Sequence, residues 1–323
     1  MPECRFAMSE PQAPLKNFPK KHDYLVCIDS DGCAFDTMEI KHKECFIPNI
    51  IKHWELQPVS KYARYAAEFV NLYSKDRGLN RFPALVRVFD LLAEWPDVGR
   101  RGARIPQAQS LREWIGRETR LGNPALKAEV ARTNDAVLAR ALRWTEAVNE
   151  SIADMVRGVP PFPYVRESLD SISTWADVLV CSATPGEALL REWQEHDLAK
   201  FAAVIAGQEM GSKKEHIALA SAGRYDAGKV MMIGDAPGDR KAAQANGVRF
   251  FPINPGHEES SWEGFYREAA ELFRRGEYDC GYEAARVAEF DALLPDVPWW
   301  KSGGTAAGGP LPHGRGSDAG PRA

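Results

Sequence analysis

The chain lacks the features that mark several common functional classes. None of its six cysteines belongs to a CxxC pair, the spacing typical of zinc sites and thioredoxin-like redox sites. No stretch approaches the ~18 consecutive apolar residues of a membrane span, and the first residues lack the apolar core of a secretory signal. The formal net charge of −4 argues against the basic surface that nucleic-acid binding requires. We therefore expect a cytoplasmic protein without nucleic-acid or membrane partners.

Several catalytic signatures are also missing. The sequence contains no GxxxxGK[ST], no GxGxxG after a predicted strand, no HExxH and no GxSxG. The seven histidines have no neighbours at metal-ligand spacing, so we assign them no metal role. The sequence therefore disfavours a P-loop nucleotide-binding protein, a dinucleotide-binding protein, a zinc protease and a serine hydrolase.

Strand-like alternation is absent between Asp36 and about Val159. Apolar residues recur there at three- and four-residue spacing, which predicts helices around 37–54, 60–75, 83–94, 109–120 and 124–156. From Pro160 onwards, short apolar runs alternate with helical segments, the pattern of βαβ units and a parallel sheet. The sequence therefore predicts an α/β protein with an all-helical segment inserted after its first strand.

Composition and periodicity together divide the chain. Residues 1–20 show no periodicity and are predicted to be a flexible arm, whereas the Gly- and Pro-rich residues 301–323 are predicted to be a disordered tail. Between them we expect an α/β core from 21–36 and 160–254, a helical segment at 37–159, and a helical extension at 255–300 that packs on the core.

Three predicted strands end in polar residues. The run YLVCI at 24–28 is followed by DSDG at 29–32, the run VLVC at 178–181 by Ser182, and the run VMMI at 230–233 by GDAPGD at 234–239. Lys213 and Lys214 lie between the second and third of these motifs. Because open α/β sheets carry their chemistry at the carboxyl ends of the strands, we expect these side chains to form one site.

This ordered set resembles the haloacid dehalogenase superfamily of phosphotransferases, whose motifs are DxD, a strand-ending Ser or Thr, a lone Lys, and GDxxxD. The resemblance implies a Rossmann-like core with the helical segment as a cap over the active site. It implies that Asp29 is the nucleophile, forming an aspartyl-phosphate, and that Asp31 is the general acid and base. It further implies a phosphoryl-binding Ser182, a charge-balancing Lys213, and a Mg²⁺ site made by Asp29, Asp31, Asp235 and Asp239, with Asp31 contributing its backbone carbonyl.

Several assignments have alternatives. Lys213 and Lys214 both fit the lysine motif, and the spacing to the following helix favours Lys213. Thr184 competes with Ser182, but we expect Thr184 to cap the helix that starts at Gly186. Gly32, Ala183 and Lys214 are further candidates for substrate binding.

The helical segment must supply the remaining substrate contacts. Arg77 and Arg81 flank a turn glycine, and guanidinium groups bind carboxylates and phosphates in a bidentate manner. This loop is either a substrate-binding element or a solvated turn between two helices. Lys41 and His42 either face the same pocket or lie on a solvated helix.

The most favoured function is a Mg²⁺-dependent phosphatase that acts on a small phosphorylated metabolite. Asp31 narrows the choice, because dehalogenases of the superfamily lack the second Asp, ion-pumping ATPases carry Thr there, and phosphonate-cleaving members carry Ala. A phosphomutase uses the same motifs and remains an alternative. The other alternative is a catalytically idle metabolite-binding protein, which the intact set of motif residues disfavours.

Overall fold

The computed structural model describes residues 10–301 and is built around one sheet. Its strands are β1 (Tyr24–Ile28), β2 (Ala176–Cys181), β3 (Val204–Ala206), β4 (Val230–Gly234) and β5 (Arg249–Pro252). All pairings are parallel, in the order β3-β2-β1-β4-β5. The predicted α/β class with a parallel sheet is confirmed.

Strand β1 lies at the centre of the sheet and is apolar on both faces. Cys27 is in register with Leu179 of β2 and with Met232 of β4. Leu25 and Cys27 pack into one buried cluster and Val26 and Ile28 into another, since successive side chains of a strand point to opposite faces. This two-sided burial explains why the strands read as continuous apolar runs and not as alternating ones.

Helices make up most of the remaining structure. In chain order they are α1 (Ala13–Asn17), α2 (Met38–Ile40), α3 (Ile47–His53), α4 (Ser60–Asn71), α5 (Arg81–Ala93), α6 (Pro96–Arg100), α7 (Gln109–Arg117), α8 (Asn123–Thr133), α9 (Ala136–Met155), α10 (Val165–Ile172), α11 (Gly186–Glu195), α12 (Lys213–Ser221), α13 (Pro237–Asn246), α14 (Glu258–Gly264), α15 (Ala270–Arg275) and α16 (Cys280–Leu293). The π-helical turns Lys41–Phe46 and Phe265–Ala269 join α2 to α3 and α14 to α15. Among residues 10–301, no helix combines the length and the apolar character needed to cross a membrane.

The segment from α2 to α9 has a hydrophobic core of its own. Trp54, Phe82, Phe89, Trp114 and Trp144 are nearly inaccessible to solvent and belong to one cluster, separate from the two clusters that cover the sheet. We refer to α2–α9 as the helical insert.

One predicted helix of the insert is divided in two. Asn134 adopts a left-handed conformation (φ 52°) and ends α8, and Asp135 caps α9 by accepting from the backbone N–H groups of Val137 and Leu138. The prediction of a continuous helix over 124–156 was therefore wrong, because the Asn-Asp pair supplies both a C-terminal and an N-terminal cap.

The carboxyl-terminal extension contacts both parts of the molecule. Trp262, Phe265 and Phe273 are buried in the cluster on one face of the sheet. Beyond α16, however, Trp300 stacks on Trp95 of the insert with ring centroids 4.2 Å apart. The last residues of this segment thus contact the insert in addition to the core packing made by its helices.

The predicted flexible arm is also corrected within residues 10–20. Leu15 of α1 is fully buried and Phe18 is 7% exposed, and both join the cluster on the second face of the sheet. The guanidinium of Arg224 lies 4.0 Å from the ring centroid of Phe18. Leu15 and Phe18 hold this segment although they form no periodic pattern, and the amide of Gln12 adds a hydrogen bond to the carbonyl of Met210. Residues 1–9 and the predicted tail from 302 onwards lie outside the described residues.

We expect Leu15→Ala to lower the free energy of unfolding by about 2–4 kcal/mol, because it removes a buried side chain and leaves a cavity. Denaturant unfolding measures this, with Lys16→Ala as the control at a partly exposed position of the same helix. An unchanged free energy of unfolding for Leu15→Ala would show that the segment is a loose arm after all.

Candidate active site

The polar residues after β1, β2 and β4 lie together at one edge of the sheet. The backbone N–H of Asp29 donates to the carbonyl of Ile233 at 3.0 Å, and that of Ser182 donates to the carbonyl of Ala206 at 3.0 Å. The sheet hydrogen bonding thus continues one residue past β1 and β2. It fixes the backbone positions of Asp29 and Ser182 at this edge of the sheet.

Lys213 connects two of the carboxylates. It is the first residue of α12, whose start is fixed by a capping box between Ser212 and Glu215. Its Nζ lies 2.5 Å from Asp29 Oδ2 and 2.5 Å from Asp239 Oδ1. Lys214 is exposed and its backbone carbonyl accepts from Asn246. The structure therefore brings Lys213, and not Lys214, to Asp29.

Asp29, Asp235 and Asp239 form a compact group of buried carboxylates. One oxygen from each lies within 4.8 Å of the others, and the residues are 5%, 1% and 0% exposed. Burial, together with the charges of Asp239 and Asp235, raises the pKa of Asp29 well above its ordinary value, although Lys213 opposes this. Burial would lower the pKa of Lys213, but Asp239 and Asp29 outweigh it and raise that pKa. Lys213 is therefore held as a cation.

The carboxylate group fits a small divalent cation. Asp235 Oδ1 is buried and has no hydrogen-bond partner within residues 10–301, so a carboxylate oxygen is left for a ligand. Oxygen donors are those Mg²⁺ prefers, with one or two carboxylates completed by water and substrate oxygens. Asp29, Asp235 and Asp239 are thus the residues able to hold such an ion. Asp31 contributes no carboxylate oxygen to this group.

The carboxylate of Asp31 is held by three donors. Lys41 forms an ion pair with it, Thr37 donates to Oδ1 at 2.5 Å, and Thr184 donates to Oδ2 at 2.7 Å. Burial opposes ionisation, but Lys41 and the hydrogen bonds outweigh it and lower the pKa of Asp31 to about 2. Asp31 is therefore an ionised carboxylate at neutral pH in this arrangement.

Thr184 has a different contact from the one predicted. Its hydroxyl binds Asp31, and α11 starts after Pro185 without a side-chain cap. The expectation that Thr184 caps that helix was wrong. The hydroxyl of Ser182 accepts from the backbone N–H of Thr184 at 3.1 Å, so the two residues form one hydrogen-bonded turn beside Asp31.

Gly32 and the two loop arginines lie in different surroundings. Gly32 has φ +74°, and a Cβ there would come within 2.6 Å of Arg77 Nη2 and of Asp235 Oδ2. Arg77 pairs with Asp235 Oδ2, at 2.5 Å from Nη2 and 2.8 Å from Nε, and both side chains are nearly inaccessible. Arg81 instead contacts Thr145 and Asn149. Arg77 and Arg81 therefore have different partners and cannot act as an equivalent pair in substrate binding.

A cavity of about 300 Å³ lies between the insert and the carboxyl edge of the sheet. The core contributes Asp31, Ala183, Thr184 and Glu192, and the insert contributes Lys41, His42, Phe46 and Arg81 among others. Burial and the negative charge of Asp31 raise the pKa of Glu192 to about 7. Burial, reinforced by Arg77, Lys41 and Arg81, lowers the pKa of His42 to about 3, so its imidazole is neutral.

Sequence reasoning missed Thr37 and Glu192 and undervalued Lys41. Thr37 and Lys41 follow the DSDG motif by a few residues, and their proximity to Asp31 was the available signal. The hydroxyl of Ser30 donates to Glu192 Oε2 at 3.1 Å. The two residues are 162 positions apart in the sequence, so no local pattern predicts this contact. The place of Glu192 beside the site follows only from the tertiary structure.

No family model and no curated protein matches the chain. Among solved structures, it is similar to a haloacid dehalogenase-like family hydrolase from Xanthomonas campestris (13% identity, TM-score 0.45), covering 80% of this chain and 97% of that one. It is also similar to a haloacid dehalogenase-like family hydrolase from Streptococcus pneumoniae (14%, TM-score 0.42, 78% and 97%). A third is a predicted phosphatase from Clostridium acetobutylicum (13%, TM-score 0.40, 79% and 98%).

The lowered pKa of Asp31 predicts a loss of stability in acid. The pKa falls from 3.8 to about 2 on folding, so the ionised carboxylate stabilises the folded protein by about 2 kcal/mol above pH 5. That contribution is lost as the pH falls through about 2. Denaturant unfolding of the unmodified protein and of Asp31→Asn between pH 2.5 and 7 measures it.

We expect the stability difference between the two proteins to shrink by roughly 1.5 kcal/mol towards the acid end of this range. Asp23→Asn, at an exposed aspartate before β1, is the matched control. A difference that stays constant with pH would contradict the lowered pKa.

Proposed function

We propose that the protein is a Mg²⁺-dependent phosphatase of the haloacid dehalogenase superfamily that hydrolyses a small phosphorylated metabolite through an aspartyl-phosphate on Asp29. The observation that carries this proposal is the position of Lys213, between Asp29 and Asp239, within a buried group of three carboxylates. A buried carboxylate beside a fixed cation, at the carboxyl edge of a parallel sheet, suits nucleophilic attack on an anionic substrate.

Electrostatics explains why these residues are needed together. A phosphate dianion approaching Asp29 meets repulsion of about 4 kcal/mol per charge pair at ~4 Å and an effective dielectric near 20. Lys213 offsets part of it. The metal ligands would be Asp29, Asp235 and Asp239, with the backbone carbonyl of Asp31, and Mg²⁺, when bound, would neutralise phosphoryl charge. Ser182 is assigned to bind a phosphoryl oxygen.

Proton transfer is assigned to Asp31. In the first half-reaction, a carboxylate oxygen of Asp29 attacks phosphorus while the leaving oxygen takes a proton from Asp31. In the second, water attacks the phosphorus of the aspartyl-phosphate and gives a proton to Asp31, which restores both residues. Because Lys41, Thr37 and Thr184 favour the ionised form, Asp31 acts as an acid only after substrate binding has displaced some of these donors.

The cavity favours a small substrate. About 300 Å³ is at the lower end of ligand pockets, and the insert covers it, which disfavours phosphoproteins. Arg81 and Ala183 line this cavity and are assigned to substrate binding with the backbone of Gly32. Lys214 has no such role in this proposal, because it is exposed and does not line the cavity. A cytoplasmic location goes with a substrate of this kind.

Asp29→Asn removes the nucleophile while keeping the shape of the side chain. We expect phosphate release to fall by roughly 10⁴-fold or more, in line with the loss of other enzyme nucleophiles. The measurement is phosphate release from a panel of sugar phosphates, nucleotides and phospho-acids, with Mg²⁺ and with chelator.

Asp23→Asn is the matched control, since Asp23 is exposed and lies one residue before β1. Turnover that survives in Asp29→Asn would rule out the nucleophile assignment. A folded protein that converts a sugar phosphate to its isomer without releasing phosphate would instead identify a phosphomutase.

A further inference from the structure

Arg81 is a partly buried cation that lies over the ring of Phe46, 5.1 Å from its centroid, and it has no carboxylate partner among the residues that the structure describes. Its Nη1 donates to Thr145 Oγ1 at 2.8 Å and to Asn149 Oδ1 at 2.6 Å, and both partners are neutral. Burial alone lowers its pKa to about 10, so it stays protonated at neutral pH. No carboxylate within residues 10–301 forms an ion pair with it. A guanidinium in these surroundings normally has an anionic partner.

The position of Arg81 in its helix is also unfavourable. It is the first residue of α5, and the first turn of that helix contains no acidic residue. The positive end of the helix dipole lies there, so a cation is disfavoured and an anion is favoured. A bound anion would relieve both costs.

The cavity walls restrict where such an anion can lie. The wall from the insert carries Arg81 and the neutral His42, whose Nδ1 is buried without a hydrogen-bond partner in the described chain. The wall from α11 carries Glu192, Glu195 and the exposed Arg191, and the exposed Arg157 also lines the cavity, so Arg81 is distinguished from these arginines by its position deeper in the protein. Asp31 lines the same cavity, so a ligand reaching Arg81 also reaches the residue assigned to proton transfer.

We propose that the substrate is a phosphomonoester with a second anionic group, a carboxylate or another phosphate, and that Arg81 binds this group. The inference rests on the proposed phosphatase function and deepens it. Arg77, which the sequence suggested as a second arginine for this group, is held by Asp235, so the guanidinium of Arg81 acts without it.

Matched substrates test this. Phosphate release would be measured for phosphorylated hydroxy acids of two to four carbons, the corresponding bisphosphates, and alkyl phosphates of equal length. We expect the unmodified protein to favour one anionic series, which identifies the second group. In Arg81→Gln, kcat/KM should fall roughly 10- to 100-fold for that series, mainly through KM, and stay nearly constant for alkyl phosphates.

Arg87→Gln is the control, since Arg87 lies on the same helix in a half-exposed pair with Asp76. Phosphate release with equal losses for anionic and alkyl substrates in Arg81→Gln would overturn the inference while leaving the phosphatase intact. A preference for alkyl phosphates in the unmodified protein would overturn it too. Absence of release from every compound would contradict the phosphatase proposal itself, and this inference with it.

The contact between Arg77 and Asp235 supports a second, independent inference. Arg77 lies in the turn between α4 and α5, so it belongs to the insert. Its Nε also donates to the backbone carbonyl of Asp235 at 3.1 Å, and its Nη1 donates to the carbonyl of Leu72 at 3.0 Å. The guanidinium is thus fixed from both sides, and it occupies Oδ2 of Asp235 while Oδ1 stays without a partner.

Two glycines make room for this contact. A Cβ at Gly32 would clash with both members of the ion pair. A Cβ at Gly78, which has φ +81°, would come within 2.7 Å of the Cβ of Ala236. The turn of the insert and the turn after β4 therefore approach closely because both glycine positions lack a side chain.

We infer that Arg77 is a positioning residue for the cation site, holding Asp235 so that Oδ1 is free to bind metal. Because it belongs to the insert, metal binding and the position of the insert are coupled reciprocally. Calorimetric titration of the protein with Mg²⁺, without substrate, tests this. In Arg77→Gln we expect affinity to fall roughly 10- to 100-fold, as for other residues that orient a metal ligand.

Arg112→Gln, in a half-exposed pair with Asp90 of the insert, is the matched control. Thermal unfolding would establish that Arg77→Gln is folded. Arg77→Lys keeps the positive charge without the bidentate contact to Asp235, and we expect its affinity for Mg²⁺ to be intermediate. Unchanged affinity in Arg77→Gln would overturn the inference. Tighter binding would overturn it as well, since Arg77 would then compete with the metal. Absence of Mg²⁺ binding by the unmodified protein would remove the cation site and this role together.

Discussion

The arrangement at the carboxyl edge of the sheet depends on the charge of Lys213. Asp29, Asp235 and Asp239 are buried within 4.8 Å of one another, and like charges at that separation repel strongly where water is excluded. Lys213 contacts two of them, and Arg77 contacts the third. These two cations allow the carboxylates to be buried in one place. The same cluster, with a carboxylate oxygen of Asp235 that has no partner among the described residues, is chemically suited to hold a divalent cation.

The helical insert takes a direct part in this electrostatic arrangement. Arg77 reaches Asp235, and Lys41 reaches Asp31, so two residues of the insert pair with two carboxylates of the core. Trp300 from the carboxyl-terminal segment stacks on Trp95 of the insert and adds a hydrophobic contact on another side. The insert is therefore joined to the core by buried ion pairs and by aromatic packing. Any movement of the insert that opens the cavity must exchange these contacts for others.

Features that depend on residues close in the sequence could be predicted from it, whereas features that depend on contacts between distant residues could not. The parallel sheet and its polar edge could be predicted because each strand is a short apolar run ending in a polar motif, a local signal. Lys213 could be chosen over Lys214 because its place at a helix start is also local. The roles of Arg77, Thr184 and Glu192 depend on which distant residue each one meets. Arg77 and Asp235 are 158 positions apart in the sequence, and Thr184 and Asp31 are 153 positions apart. Leu15 shows the same limit, since Leu15 and Phe18 form no periodic pattern in a polar segment, yet Leu15 is fully buried.

The central claim is that Asp29 becomes covalently phosphorylated during turnover. The most direct test is acid quenching of the protein in steady state with substrate and Mg²⁺, followed by borohydride reduction and peptide mass spectrometry. An acyl phosphate on aspartate is reduced to homoserine, so the account predicts homoserine at position 29, dependent on substrate and metal. Turnover with an unmodified Asp29, or with homoserine at another aspartate, would contradict it.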